Sequence, residues 1–302
     1  MEKVACRLFF GFSLSAGLCL SAAAGPQSSF LSKALAIVPL SSQAFEYDNL
    51  AQLRTLPDYP LLRKQYTGTP LEHAKTTFAD LGVPENSLRE VAIMRNATHK
   101  LCGMVSGMFD LIRVNQQATK LGYSRLSGER HDAYCSGSGT CIEFLNDSFA
   151  IFGSADDLKN ISRSQHEATP TIANERLVQN VLAKISSQAQ VVGFGRREDL
   201  ANWIKEEICP LCQKLDLSPV LNDIHLFVYS MQLDRKAHVV LDIECESSRT
   251  ATLLSQGLTA INSAYSTASN LSFGQIPWSP YDQFSATATS NVVHLALNST
   301  IH

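Results

Sequence analysis

Apolar and polar positions along this chain switch repeatedly between two periods. Val239, Leu241, Ile243 and Cys245 alternate with Val240, Asp242 and Glu244, which predicts a strand with one buried and one wet face. Leu111, Val114, Ala118 and Leu121 recur instead at helical spacing, as do Ala251, Leu254, Leu258 and Ile261. Each set predicts an amphipathic helix that turns its stripe to the core. Short polar side chains stand where such helices would begin: Asp48 or Asn49, Asp110, Glu198 or Asp199, and Ser247 or Ser248. A further helix runs from about Pro70 through Ala74, Phe78 and Leu81, with Gly82 ending it as Gly122 ends the helix after Asp110.

Strands are predicted at 43–47, 91–94 and 104–109 in the first half, with Ile142 to Leu145 and Phe149 to Phe152 as a hairpin about Asn146-Asp147. In the second half they fall at 191–194, 224–231, 239–245 and 292–297. Both halves then read strand, helix, strand, strand, helix, strand, and Ser-Ser-Gln-Ala occurs at 41–44 and again at 186–189. The expected class is α+β: two tandem ferredoxin-like (split β-α-β) halves with antiparallel sheets covered by helices. The halves span 34–161 and 175–302, and the polar segment 162–174, which carries Pro170, is the linker between them. The alternative is one mixed sheet whose element order matches by coincidence.

The N-terminus stands apart. Lys3 and Arg7 precede an apolar run from Leu8 to Leu20, and Ala22, Ala23 and Ala24 follow as small residues. Residues 1–24 therefore read as a secretory signal and 25–33 as a flexible lead-in. The run is shorter than the roughly 20 residues that a membrane span needs, and no other stretch of the chain is apolar for long enough. Leu18 before Cys19 departs from the small residue that a lipid-anchored cysteine wants. Removing Glu2, Lys3 and Arg7 from 25 basic and 28 acidic residues leaves 23 and 27, a net charge of −4. No basic patch emerges, so nucleic acid is not an expected partner. With 45% apolar and 18% charged residues among 302, the composition is that of an ordinary globular protein.

Several short segments resemble a group of uncharacterised exported bacterial proteins. They are Val38-Pro39, the run Asp-Asn-Leu-Ala-Gln-Leu-Arg-x-Leu-Pro-x-Tyr from Asp48 to Tyr59, and Gly-x-Phe-Asp from Gly107 to Asp110. The resemblance covers about residues 35–260. It implies export and a duplicated α+β fold; it implies no activity, and no functional residue is carried over from it.

The chemistry-bearing candidates begin with cysteine. Six remain after the signal: Cys102, Cys135, Cys141, Cys209, Cys212 and Cys245. An even number in an exported chain suggests disulfides. Cys135 and Cys141 flank the loop Ser-Gly-Ser-Gly-Thr, and a bond between them would staple a hairpin, worth about 2 kcal/mol by loop closure. Cys209-Pro210-Leu211-Cys212 has the spacing of thiol oxidoreductases, but Glu206 and Glu207 precede it and their charge raises a thiol pKa. A structural disulfide is the first reading of that pair and a catalytic one the rival. Pairing of Cys102 and Cys245 stays open.

Zinc at Cys209 and Cys212 would need two more ligands, with Cys245 and His225 the nearest candidates, and no metal is expected. Gly193-Phe194-Gly195 lacks the third glycine of a dinucleotide site, so no cofactor is expected either. His225 and His294 read as structural residues. Phe273, Trp278, Tyr281 and Phe284, among prolines, form either a plug over the open end of a sheet or an aromatic lip for binding. These features together predict a secreted or periplasmic protein with a binding or structural role and an envelope protein or small ligand as partner. An envelope thiol-disulfide oxidoreductase using Cys209 and Cys212 is the alternative.

Overall fold

The structure, a computed structural model, describes residues 29–56, 76–96, 101–127, 132–164, 170–185, 188–197, 221–234, 236–271 and 283–300. It divides into two compact units, residues 26–175 and 176–302. Twelve strands are described, seven in the first unit and five in the second.

In the first unit, α1 (Ser29–Ile37) precedes β1 (Ala44–Asp48), and the short α2 (Leu50–Leu53) leads away from it. β2 (Leu88–Arg95) and β3 (Leu101–Gly107) form a hairpin, and α3 (Leu111–Lys120) follows. The unit continues with β4 (Ser124–Ser127), β5 (Asp132–Cys135), β6 (Cys141–Phe144), β7 (Phe149–Gly153) and α4 (Ala155–Ser164). Strand order across the sheet is β1-β2-β3-β7-β6-β5-β4. The second unit opens with α5 (Arg176–Leu182) and β8 (Val191–Gly195). It continues through β9 (Ile224–Leu233), β10 (Lys236–Cys245), α6 (Ser248–Leu271), β11 (Gln283–Thr289) and β12 (Val292–Thr300). Its order is β8-β9-β10-β12-β11.

This connectivity overturns the ferredoxin-like expectation. A split β-α-β half needs two parallel strands joined by a helical crossover. Here β1 lies beside β2 and pairs with it antiparallel, Tyr47 opposite Ala92, and β8 pairs with β9 in the same sense, Gly193 opposite Tyr229. The chain between the first two strands of each unit therefore returns to the adjacent position rather than crossing over one. Apart from β4 and β11 the order of elements was legible in the sequence, but order does not distinguish these two ways of laying strands side by side. What recurs is a different connectivity: three consecutive neighbours, a helix, then a hairpin whose second strand (β7, β12) joins the third (β3, β10).

Local signals explain most helix ends. Asn49 accepts the Gln52 N–H at 3.0 Å and Asp110 the Arg113 N–H at 3.1 Å, as side-chain caps do. Gly82, just after the helical residues 76–80, and Gly122, just after α3, have φ of +77° and +71°, a backbone state that glycine adopts without penalty. Arg54 extends this order at long range: its guanidinium donates to the carbonyls of Leu50 at 2.9 Å, Glu85 at 3.1 Å and Leu88.

The first core centres on Phe78, which is fully buried, stacked against Phe109 and met edge-on by Phe144 and Phe152 at centroid distances near 6.1 and 6.2 Å. Such pairs add about 0.5–1.5 kcal/mol each to the burial itself. Pro170 to Asn174 pack on this unit: Thr171 bridges Pro39, the Ile172 N–H donates to the Val38 carbonyl at 2.9 Å, and the Ile172 side chain is buried. In the second unit the inner face of β10 (Val239, Leu241, Ile243, Cys245) is buried, as its alternation predicts, and so are Ala251, Leu254 and Leu258 of α6, which packs chiefly on β11 and also on β12 and β10.

Candidate functional site

The strand-to-helix corner at residues 107–112 is built so that it exposes apolar side chains. The Gly107 N–H donates to Ser148, Met108 to Ser87 and Phe109 to Asp147, all through backbone carbonyls at 2.8 to 3.0 Å. A Cβ at Gly107 would press on the Ser87 carbonyl and the Phe109 ring, Phe109 is buried against Phe78 and Phe144, and Asp110 caps α3. Glycine, phenylalanine and aspartate of this Gly-x-Phe-Asp segment thus each have a structural duty.

The remaining member, Met108, is turned outward and is 64% exposed, with the Arg89 guanidinium 3.4 Å from its sulfur. On the first turn of α3, Ile112 is 75% exposed and Leu111 also faces solvent, as does Leu121 beyond its end. The expected stripe of Leu111, Val114, Ala118 and Leu121 is therefore only half correct. Val114 and Ala118 are buried, while the two leucines are not. Spacing alone placed all four on one face, but only the middle of this ten-residue helix is covered, and both ends of that face are left in solvent. Large apolar groups left in water at one place cost free energy that a binding partner recovers.

A second concentration of polar groups lies on the outer face of β10 and β12. Asp242 is buried and stands opposite His294, whose Nδ1 is 2.7 Å from its carboxylate. Four residues along, His238 meets Asn298, whose amide donates to Gln283 at 3.2 Å. The carboxylate fixes the orientation of the His294 ring. His294, expected to be structural, thus has a specific partner that only the strand register brings to it. His225 lies 4.0 Å from Glu246 at the exposed start of β9. Among the described residues no group of three or more His, Cys, Asp or Glu is placed to hold a metal.

The cysteines divide into two kinds. Cys135 and Cys141 are directly opposite in β5 and β6 and are disulfide-bonded, as their spacing predicts. Cys102 and Cys245 are free and buried. Burial pushes the Cys102 thiol up to about 12, with the Asp157 charge adding to it. Burial, then Asp223 and Glu244, push Cys245 up to about 11. Neither is poised as a nucleophile. Cys209 and Cys212 lie outside the described residues, and so do Phe273, Trp278 and Tyr281. Phe284 is half-buried within β11, where the sequence predicted a plug or lip rather than a strand.

These features define an antiparallel, sheet-rich protein of strands and helices with an exposed apolar corner. No protein-family model and no curated protein matches the chain. Among solved structures it is similar to TP0453. Against crystal form III of that protein it has 14% identity and a TM-score of 0.52, covering 88% of this chain and 94% of that one. Against crystal form IV the identity is 10% and the TM-score 0.51, with 88% and 92% covered. The likeness is one of fold. No helix among the described residues is long and apolar enough to cross a membrane.

Proposed function

We propose that this chain is exported and acts as a non-enzymatic binding or structural protein of the periplasm or cell envelope. The observation that carries the compartment is the Cys135–Cys141 bond, because such a bond persists in oxidising surroundings and is rare where thiol reductants circulate. The basic start, apolar run and small residues of positions 1–24 agree with it. The exposed corner of Met108, Leu111 and Ile112 supplies a contact surface, and a contact surface is what a binding role requires.

Expression of the full chain in a bacterial host, followed by fractionation and intact-mass analysis, tests the reading. The expected product is outside the cytosol, lacks about the first 24 residues, and yields a Cys135–Cys141 linked peptide on digestion without reductant. An unprocessed cytosolic product with both of these thiols reduced would overturn it.

A further inference from the structure

Methionine occurs in two settings among the described residues. Met94, Met104 and Met231 are buried within β2, β3 and β9. Met108 alone stands in solvent. Its backbone N–H is tied to the Ser87 carbonyl at 3.0 Å, so the fold uses the main chain of this residue and leaves the side chain to the exposed corner.

The sheet itself brings a cation to that side chain. β2 and β3 pair Leu88 with Gly107 and Glu90 with Ser106, so β2 carries one residue more than β3 at this point. The extra residue is Arg89. A bulge re-aims a side chain, and here the Arg89 Nη2 donates to the Met108 Sδ at 3.4 Å. A thioether sulfur is only a weak acceptor. The oxygen of a sulfoxide is a much better one, and hydrogen bonds from a charged donor are the stronger kind.

We infer that Met108 is an oxidation site that controls the apolar corner: its sulfur takes an oxygen atom from a peroxide, and Arg89 holds the sulfoxide that results. A lone pair of the sulfur attacks one oxygen of hydrogen peroxide, and the O–O bond breaks as the S–O bond forms. The proton on the transferred oxygen leaves with the departing hydroxide as water. Sulfur loses two electrons and the peroxide gains them. A flexible apolar side chain becomes a polar one, so Met108 ceases to extend the surface offered by Leu111 and Ile112. Because methionine sulfoxide is reduced by dedicated enzymes, the change can be undone. At the buried methionines the same reaction has to wait for local opening of the sheet. The consequence for binding rests on reading this corner as a contact surface; the oxidation does not.

Dilute hydrogen peroxide on the purified full chain, followed by digestion and mass mapping, should add one oxygen atom to the Met108 peptide about tenfold or more faster than to those of Met94, Met104 and Met231. The oxidised chain should leave a phenyl column earlier than the untreated one, with its circular dichroism unchanged, and methionine sulfoxide reductase should restore the retention. Met108→Leu, which keeps the corner apolar without a sulfur, should be retained equally before and after treatment. The side-chain nitrogen signal of Arg89 in NMR, assigned by its loss in Arg89→Lys, should shift on oxidation of the wild type and not of Met108→Leu. Oxidation that is no faster at Met108 than at the buried positions overturns the inference. So does unchanged retention of the oxidised chain, an equal loss of retention in treated Met108→Leu, or an Arg89 signal that does not move. The purified chain reports on this chemistry wherever a cell places it, so failure here and failure of export are read separately.

Discussion

Opening the Cys135–Cys141 bond is the perturbation whose size follows most directly from the structure. The two residues are paired across β5 and β6, both are buried, and they close a hairpin over Ser136 to Thr140 whose Gly139 sits at φ +86°. With the bond intact the unfolded chain cannot separate these positions. Breaking it returns that freedom to the unfolded state and leaves the folded hairpin with its backbone hydrogen bonds, such as Ser136 N–H to Thr140 at 2.8 Å. Loop-closure entropy for a ring of about seven residues amounts to about 2 kcal/mol at 25 °C. A urea slope of about 2 kcal/mol per molar turns this into a midpoint lowered by about 1 M. The assay is urea unfolding followed by circular dichroism on three samples: the oxidised chain, the chain in reductant, and the double variant Cys135→Ala with Cys141→Ala. The variant should unfold about 1 M below the oxidised chain without any reductant, which assigns that share of the effect to this bond and leaves any further loss in reductant to Cys209 and Cys212. Coincident midpoints for oxidised and reduced wild type would refute the reasoning.

Other outcomes follow from packing and protonation. Phe78→Ala removes the ring shared by Phe109, Phe144 and Phe152 and should cost about 3–5 kcal/mol in the same urea assay, whereas Phe78→Leu should cost far less. Cys102 is neutral when folded up to about pH 12 but ionises near 8.5 when unfolded. The stability tied to it is complete below about pH 8.5 and falls as pH rises from there toward 12; a Cys102→Ser variant should show a flatter decline. His294→Ala leaves the buried Asp242 carboxylate without its 2.7 Å partner and should cost about 1–3 kcal/mol, read from thermal melting. The full chain should not turn over in an insulin-reduction assay, and turnover that disappears in Cys209→Ser would establish the oxidoreductase alternative instead.

Positions governed by nearest neighbours were legible in the sequence. Asn49, Asp110, Gly82 and Gly122 act within one turn of themselves, and the alternation of Val239 to Cys245 gave the buried face of β10 correctly, whereas Asp242 on the face expected to be wet is buried beside His294. What escaped was set at longer range. β4 and β11 are short or built from small residues, Ser-Arg-Leu-Ser and Gln-Phe-Ser-Ala-Thr-Ala-Thr, and they become strands because a neighbour offers hydrogen bonds rather than because their own pattern demands it. The ferredoxin-like expectation failed for the same reason, since element order is local and strand adjacency is not. At the candidate contact surface, helical spacing grouped Leu111 and Leu121 with the buried residues, and Met108 and Ile112 carried no signal at all. Their exposure is decided by which part of α3 its neighbours cover, and that is not a local property of the sequence.

The three carbonyls gathered by Arg54 come from both sides of residues 57–75: Leu50 before that stretch, Glu85 and Leu88 after it. One side chain thus fastens the turn after α2 to the entry of β2. Its loss would release both at once, so Arg54→Ala should weaken hydrogen-exchange protection around Leu50 and around Leu88 together.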